Sequence, residues 1–139
     1  MFSQDGSRFG LLTIRRRRLT ARGVQPVGAV QHVFTWFYVY GAVEPTTGER
    51  FFLELAWLNA ESFQLFVDTC GAASPDRLNR LLLDDSGVHT ARWLTLPANV
   101  RLVLLPPYRP ELNPIERVWR ARKDALAWLQ CPHLDRQQD

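Results

Sequence analysis

Residues 104–119, Leu-Leu-Pro-Pro-Tyr-Arg-Pro-Glu-Leu-Asn-Pro-Ile-Glu-Arg-Val-Trp, constrain the fold more than any other stretch of this chain. The apolar start reads as the end of a buried strand. Prolines at 106, 107, 110 and 114 each fix φ, and together they leave the connection few conformations. Asn113-Pro114-Ile115-Glu116 then reads as a helix start, with Asn as N-cap, Pro at the first helical position and Glu at the third. A strand, a stiff loop and a helix in that order hold Glu116 in a fixed place. Two readings of Glu116 stand side by side. It closes a capping box and complements the helix dipole, or it is a carboxylate placed for chemistry, which needs rigid support.

A second acid ends a second apolar run, Leu81-Leu82-Leu83-Asp84. Three consecutive Leu suit a central strand buried on both faces. An acid at the carboxyl end of such a strand stands where open α/β sheets carry their sites. Taken alone it is equally an ordinary strand-to-loop Asp. Asp85 adjoins it and points the other way if the strand continues, so Asp84 is the preferred ligand of the two. Asp5, in Ser3-Gln4-Asp5-Gly6, has the weakest local signal and by itself reads as a turn residue.

Alternation and turn residues place the remaining elements. The first residues form a short strand. Residues 30–43, rich in Val, Phe, Trp and Tyr, form another. The turn Glu44-Pro45-Thr46-Thr47-Gly48-Glu49 returns the chain into a strand over residues 50–55, making a hairpin. Asn59 caps a helix over roughly residues 60–70, with Phe63, Phe66 and Val67 on one face, and residues 71–75 break it. A buried strand over residues 80–84, a helix over 88–96 and a buried strand over 100–105 follow. Ile115, Val118, Trp119, Arg122, Leu126 and Leu129 recur at helical spacing in a last helix. The expected class is α/β, a mixed sheet flanked by helices.

With 46% hydrophobic residues, five Trp and eight Phe in 139 residues, the chain has enough apolar content for one core and too much for disorder. Cys70 and Cys131 are far apart, so neither a disulfide framework nor a zinc site is expected and a reducing interior is the default. The start carries no secretory signal, and the apolar stretch over 33–43 is too short to span a bilayer. The net charge of +3 is compatible with a polyanionic partner. Arg15, Arg16, Arg17 and Arg18, with Arg22, form a basic loop that reads either as a solvated charge run or as a phosphate contact. His89 reads as a helix-start or core residue, and Tyr108 and Trp119 as packing residues. No phosphate-binding glycine loop, nucleophile elbow or Cys/His pair is present, so any chemistry here is carboxylate chemistry.

These segments together resemble the catalytic domain of DDE transposases, and most closely the bacterial insertion-sequence branch of the mariner superfamily. The Leu-Pro-Pro-Tyr-x-Pro-x-Leu-Asn-Pro-Ile-Glu-x-x-Trp run of that family matches residues 105–119 nearly throughout. Its second acid ends an apolar strand, as in Leu81-Leu82-Leu83-Asp84-Asp85-Ser86-Gly87-Val88-His89. Its first acid precedes an Arg-Phe-Gly-Leu segment, here Asp5 before Arg8-Phe9-Gly10-Leu11. The resemblance implies a ribonuclease-H-like fold over a single catalytic domain, residues 1–139, with Asp5, Asp84 and Glu116 as catalytic metal ligands. It implies two Mg²⁺ or Mn²⁺ ions and DNA, both transposon ends and target, as partner. It further implies a homo-oligomer assembled on DNA, no membrane association, and a bacterial cytoplasmic, nucleoid-associated location; the absence of an upstream helix-turn-helix region adds the expectation of a separate subunit carrying one.

Departures from the family pattern keep alternatives open. Gly6 follows the first acid where the family often has Glu, and Leu19 stands where an aromatic is common. Only four residues precede Asp5, so its strand is expected to be cut short. No helix-turn-helix region lies upstream, and the last helix is soon followed by the chain end, which admits a split element or truncation at both ends. The alternative reading is a catalytically inactive DNA- or partner-binding remnant. A third is a ribonuclease-H-like nuclease acting on RNA–DNA hybrids or branched DNA.

Overall fold

A computed structural model describes residues 1–17, 19–25, 27–84, 94–106, 112–130 and 133–134. Five strands and two helices follow in the order β1 (Phe2–Gly10), β2 (Trp36–Val43), β3 (Arg50–Leu55), α1 (Ala60–Ala73), β4 (Asn79–Leu83), β5 (Val100–Leu104) and α2 (Ile115–Ala125). The sheet order is β3-β2-β1-β4-β5. β1–β2 and β2–β3 pair antiparallel, and β1–β4 and β4–β5 pair parallel. This is the mixed sheet expected from the sequence.

The first strand differs from expectation. It is nine residues long and central, and Asp5 lies inside it rather than in a turn. Eight register pairs with β2, from Ser3↔Val43 to Gly10↔Trp36, hold its whole length extended. Pairing with a neighbour outweighs the turn preference of a Ser-Gln-Asp-Gly stretch.

Side chains alternate between the two faces of the sheet. Phe2, Tyr40, Ala42, Leu81 and Leu83 point to one face and pack with Phe63, Phe66, Val67 and Cys70 of α1. Phe9 and Phe37, at the opposite parity on β1 and β2, pack on Ile115 and Trp119 of α2. Each helix therefore covers its own face. Asn59 caps α1 as expected, its Oδ1 accepting from the Ser62 N–H at 2.8 Å. The helix does not break at Gly71 but continues to Ala73. Gly71 is needed for close approach, since a Cβ there would lie 3.1 Å from Asn99 Oδ1 and 3.2 Å from Pro97.

Two further expectations are corrected. β5 is an edge strand, and Arg101, Val103 and Leu104 are exposed rather than buried. Of the helix expected over 88–96, residues 94–96 are irregular and the rest lies outside the described residues. Asp85, His89, Tyr108 and Arg18 also lie outside them. Among the described residues no helix is long and apolar enough to cross a membrane.

The connection between β1 and β2 has no helix or strand among its described residues, and it is strapped to the end of α2. The Trp128 backbone N–H donates to Ile14 O and its indole N–H to Arg16 O, both at 3.0 Å. Trp128 adopts φ 64° to do so, a conformation that costs an ordinary residue on the order of 1 kcal/mol or more and persists where contacts enforce it. Gly28 lies against the same ring, where a Cβ would come within 2.6 Å. Gly28→Val is expected to push Trp128 away and release the loop. Trypsin should then cut at Arg15 and Arg17 faster than in wild type while far-UV circular dichroism is unchanged.

Candidate active site

Asp5 is the centre of the site. It lies on the α2 face of β1, at the parity of Phe9, with Gly41 as its register partner on β2. A Cβ at Gly41 would lie 2.7 Å from Phe52 and 2.8 Å from Trp119. The glycine thus leaves room for the Trp119 ring beside the acid. Trp119, 4% exposed, meets Phe9 edge-on at 5.9 Å between ring centres, and its indole N–H donates to Asp5 Oδ2 at 3.0 Å.

Asp84 comes next. β1 and β4 run parallel with Phe2↔Leu81 and Ser3↔Leu82 in register. Two further places along that register set Asp84 level with Asp5. The pleat puts positions 82 and 84 on the α2 face and 81 and 83 on the α1 face. Asp84 follows the last residue of β4 and is exposed.

Glu116 stands in the first turn of α2 and is exposed. The helix start differs from the sequence expectation. Asn113 does not cap it. Pro114 occupies the cap position with no side-chain cap hydrogen bond. The Asn113 side chain is instead buried and donates its Nδ2–H to the Gln4 carbonyl at 2.9 Å. That bond moors the start of α2 to the residue before Asp5, and with Asn113 committed there no capping box forms. Glu116, exposed and three residues on, is left facing outward beside the acid. α2 is thus tied to β1 at Gln4 by Asn113 and at Asp5 itself by Trp119. Both residues were read from the sequence in lesser roles, as a cap and as packing. The available signal was spacing, since Asn113 and Trp119 lie three residues either side of Glu116.

The electrostatics of Asp5 report how near the other acids are. Burial pushes its carboxyl from 3.8 up to about 6. The Gly6 backbone hydrogen bond opposes this, the charges of Glu116 and Asp84 add to it, and the Trp119 hydrogen bond opposes it again. Trp119→Phe keeps the ring and removes the N–H. It is expected to raise the Asp5 carboxyl above about 6 and to cost about 1 kcal/mol of stability, read by carboxyl-carbon NMR titration and urea denaturation. An unmoved titration would mean the indole does not hold the acid.

Gly6 points to the α1 face, away from the carboxylates, where a Cβ would lie 2.6 Å from Leu58 Cδ1. Its departure from the family pattern therefore removes nothing from the acid face. The strand of Asp5 runs nine residues from Phe2 to Gly10. In the basic loop Arg15, Arg16, Arg17 and Arg22 are exposed, and Arg16 Nε pairs with Asp124 Oδ1 at 2.8 Å.

The family described as DDE superfamily endonuclease matches residues 1–136. The chain belongs to that family. An uncharacterized protein, y4pE/y4sA, of Sinorhizobium fredii (strain NBRC 101917 / NGR234) is 38% identical over 95 residues, which are 68% of this chain and 69% of that protein. The fold of this DDE-family chain is also that of the Mos1 transposase. The Mos1 mariner paired-end complex with Mn superposes with a TM-score of 0.74 at 15% identity, over 99% of this chain and 45% of that one. The Mos1 paired-end complex with Mg superposes with a TM-score of 0.64 at 17% identity and the same coverage. This chain therefore spans less than half the length of those transposases. Its sheet is the ribonuclease-H-like sheet expected from the sequence.

The donor set suits a hard divalent cation, which takes oxygen ligands. A cation would also offset the burial of the Asp5 charge and the smaller repulsion from Glu116 and Asp84. Among the described residues, however, no three His, Cys, Asp or Glu side chains already stand as a metal-binding cluster. The acids share a face and each other's fields without being closed into a cage.

Proposed function

We propose that this chain is the catalytic domain of a mariner-type insertion-sequence transposase, which cleaves phosphodiesters at element ends and joins them to target DNA. Asp5, Asp84 and Glu116 would hold Mg²⁺ or Mn²⁺. Such ions would supply Lewis acidity for phosphodiester displacement. Asp5 is the fixed ligand, kept in place by Trp119 and by strand pairing with Gly41 of β2. Asp84 and Glu116 are exposed and so can reach an ion and DNA together. Water is the nucleophile for cleavage and a DNA 3′-hydroxyl for strand transfer. The exposed Arg15, Arg16, Arg17 and Arg22, with Arg18, neutralise phosphates, so binding weakens as salt rises. The same reading takes a homo-oligomer on DNA, a separate helix-turn-helix subunit and a bacterial nucleoid-associated setting.

What supports this reading is that Glu116 at the start of α2 and Asp84 at the end of β4 both add their charge to Asp5 on β1. The test is cleavage of labelled duplex DNA bearing the element ends, with and without Mn²⁺. Cleavage that requires Mn²⁺ and stops with chelator is expected. Cleavage that ignores chelator contradicts the reading. Preference for an RNA–DNA hybrid over duplex would move the assignment to another ribonuclease-H-like nuclease.

A further inference from the structure

A groove of about 650 Å³ lies where β1 ends, β2 begins and α2 finishes, away from the acids and with Arg16 of the arginine run on its wall. Its lining includes Arg8, Arg16 and Lys123 and no acidic residue. Among the described residues neither Arg8 nor Lys123 has a carboxylate partner, and Arg16 shares its charge with Asp124. Two large aromatics stand open in the same groove, Phe34 at 71% and Trp36 at 46% exposure. Arg8 lies over the Trp36 ring, 5.6 Å from its centre.

Exposed aromatic rings interleaved with unpaired cations are the parts of a surface that stacks bases and tracks a backbone. Duplex DNA satisfies cations through its phosphates and hides its base faces, so it leaves such rings unused. An unpaired strand uses both. We propose that this groove binds unpaired DNA, with Phe34 and Trp36 as stacking platforms and Arg8, Lys123 and Arg16 on the phosphates. This rests on the reading of the chain as a DNA strand-transfer domain, in which strands are opened and cut beside the acids. The groove, farther along β1 than Asp5, gives such a strand a place to lie once it is separated from its partner.

The test is fluorescence anisotropy with a labelled oligothymidylate and a duplex of equal length, on the full chain and on Phe34→Ala and Trp36→Ala. Phe34→Ala removes an exposed loop side chain, so it remains informative even if Trp36→Ala disturbs the strand start. Oligothymidylate binding should weaken roughly 5- to 100-fold for each aromatic removed. Duplex binding should change no more than about twofold, because phosphate contacts carry it. Arg15→Gln should instead weaken both substrates together. Equal loss on both substrates in the aromatic variants, or no loss on either, overturns the proposal. So does displacement of oligothymidylate by polyglutamate at equal charge concentration, which would make the groove a seat for an acidic peptide. If wild type binds no oligothymidylate yet is stabilised by Mn²⁺ through Asp5 and Asp84, the groove proposal falls and the catalytic reading stands.

Discussion

Asp84→Asn and Glu116→Gln are each expected to abolish Mn²⁺-dependent DNA cleavage while leaving the protein folded. Removing a group that merely orients a metal ligand typically costs roughly 10- to 100-fold, so loss of a ligand itself should exceed that. Folding should survive because both side chains are exposed. The Glu116 carboxylate closes no capping box, and Pro114 carries no side-chain cap bond that the substitution could break. Cleavage rates and far-UV circular dichroism, measured together, separate the outcomes. Activity retained in either variant removes that acid from the site. A Glu116→Gln protein that unfolds would restore the capping role that Asn113 vacates.

The second large effect is on stability and has the opposite sign for the fold. In metal-free protein the Asp5 carboxyl titrates at about 6 instead of 3.8. Below about pH 4 the group is protonated whether folded or unfolded, and it contributes nothing. Between pH 4 and 6 the folded state holds a proton that the unfolded state has released. Stability then falls as pH rises, at about 1.4 kcal/mol per pH unit. Above pH 6 both states are ionised and the full penalty remains, about 3 kcal/mol. Asp5→Asn removes this penalty, and an amide oxygen can still accept from the Trp119 indole. The variant should match wild type at pH 4 and be more stable at pH 7 by up to about 3 kcal/mol, read by urea denaturation. A variant less stable than wild type at pH 7, or a difference that ignores pH, would contradict the placement of Asp5. Such a gain at the expense of the proposed metal site is the trade expected where a site buries an unfavourable charge.

Much of this was legible in the residues. The hairpin β2–β3 follows from alternation around a Pro-Thr-Thr-Gly turn, and α1 from Asn59 followed by apolar residues at helical spacing. These are local signals, and local signals survive into the fold. Leu81-Leu82-Leu83-Asp84 marked the end of β4 for the same reason. What failed was long-range. Ser3, Gln4 and Ser7 are polar and yet buried, because β1 is the central strand with a neighbour on each side. Nothing within residues 1–10 encodes those neighbours. β5 looked like a buried strand because it is apolar, while its place at the edge is set by sheet order. Asn113 and Trp119 were read in their local senses, and their partners on β1 lie 109 and 114 residues away. The Trp128 strap across the basic loop joins residues 112 or more apart and has no local mark either.

The convergence of Asp5, Asp84 and Glu116 on one ion site is tested most directly by thermal unfolding against Mn²⁺ concentration, for wild type, Asp84→Asn and Asp5→Asn. An ion bound only by the folded state adds about 2.7 kcal/mol at a hundred times its Kd, which for a chain of this size raises Tm on the order of 10 °C. Wild type is expected to show that rise and both variants to lose it. A rise that persists undiminished in both variants would place the ion elsewhere. No rise in wild type, with oligonucleotide binding intact, would favour the catalytically inactive DNA-binding domain.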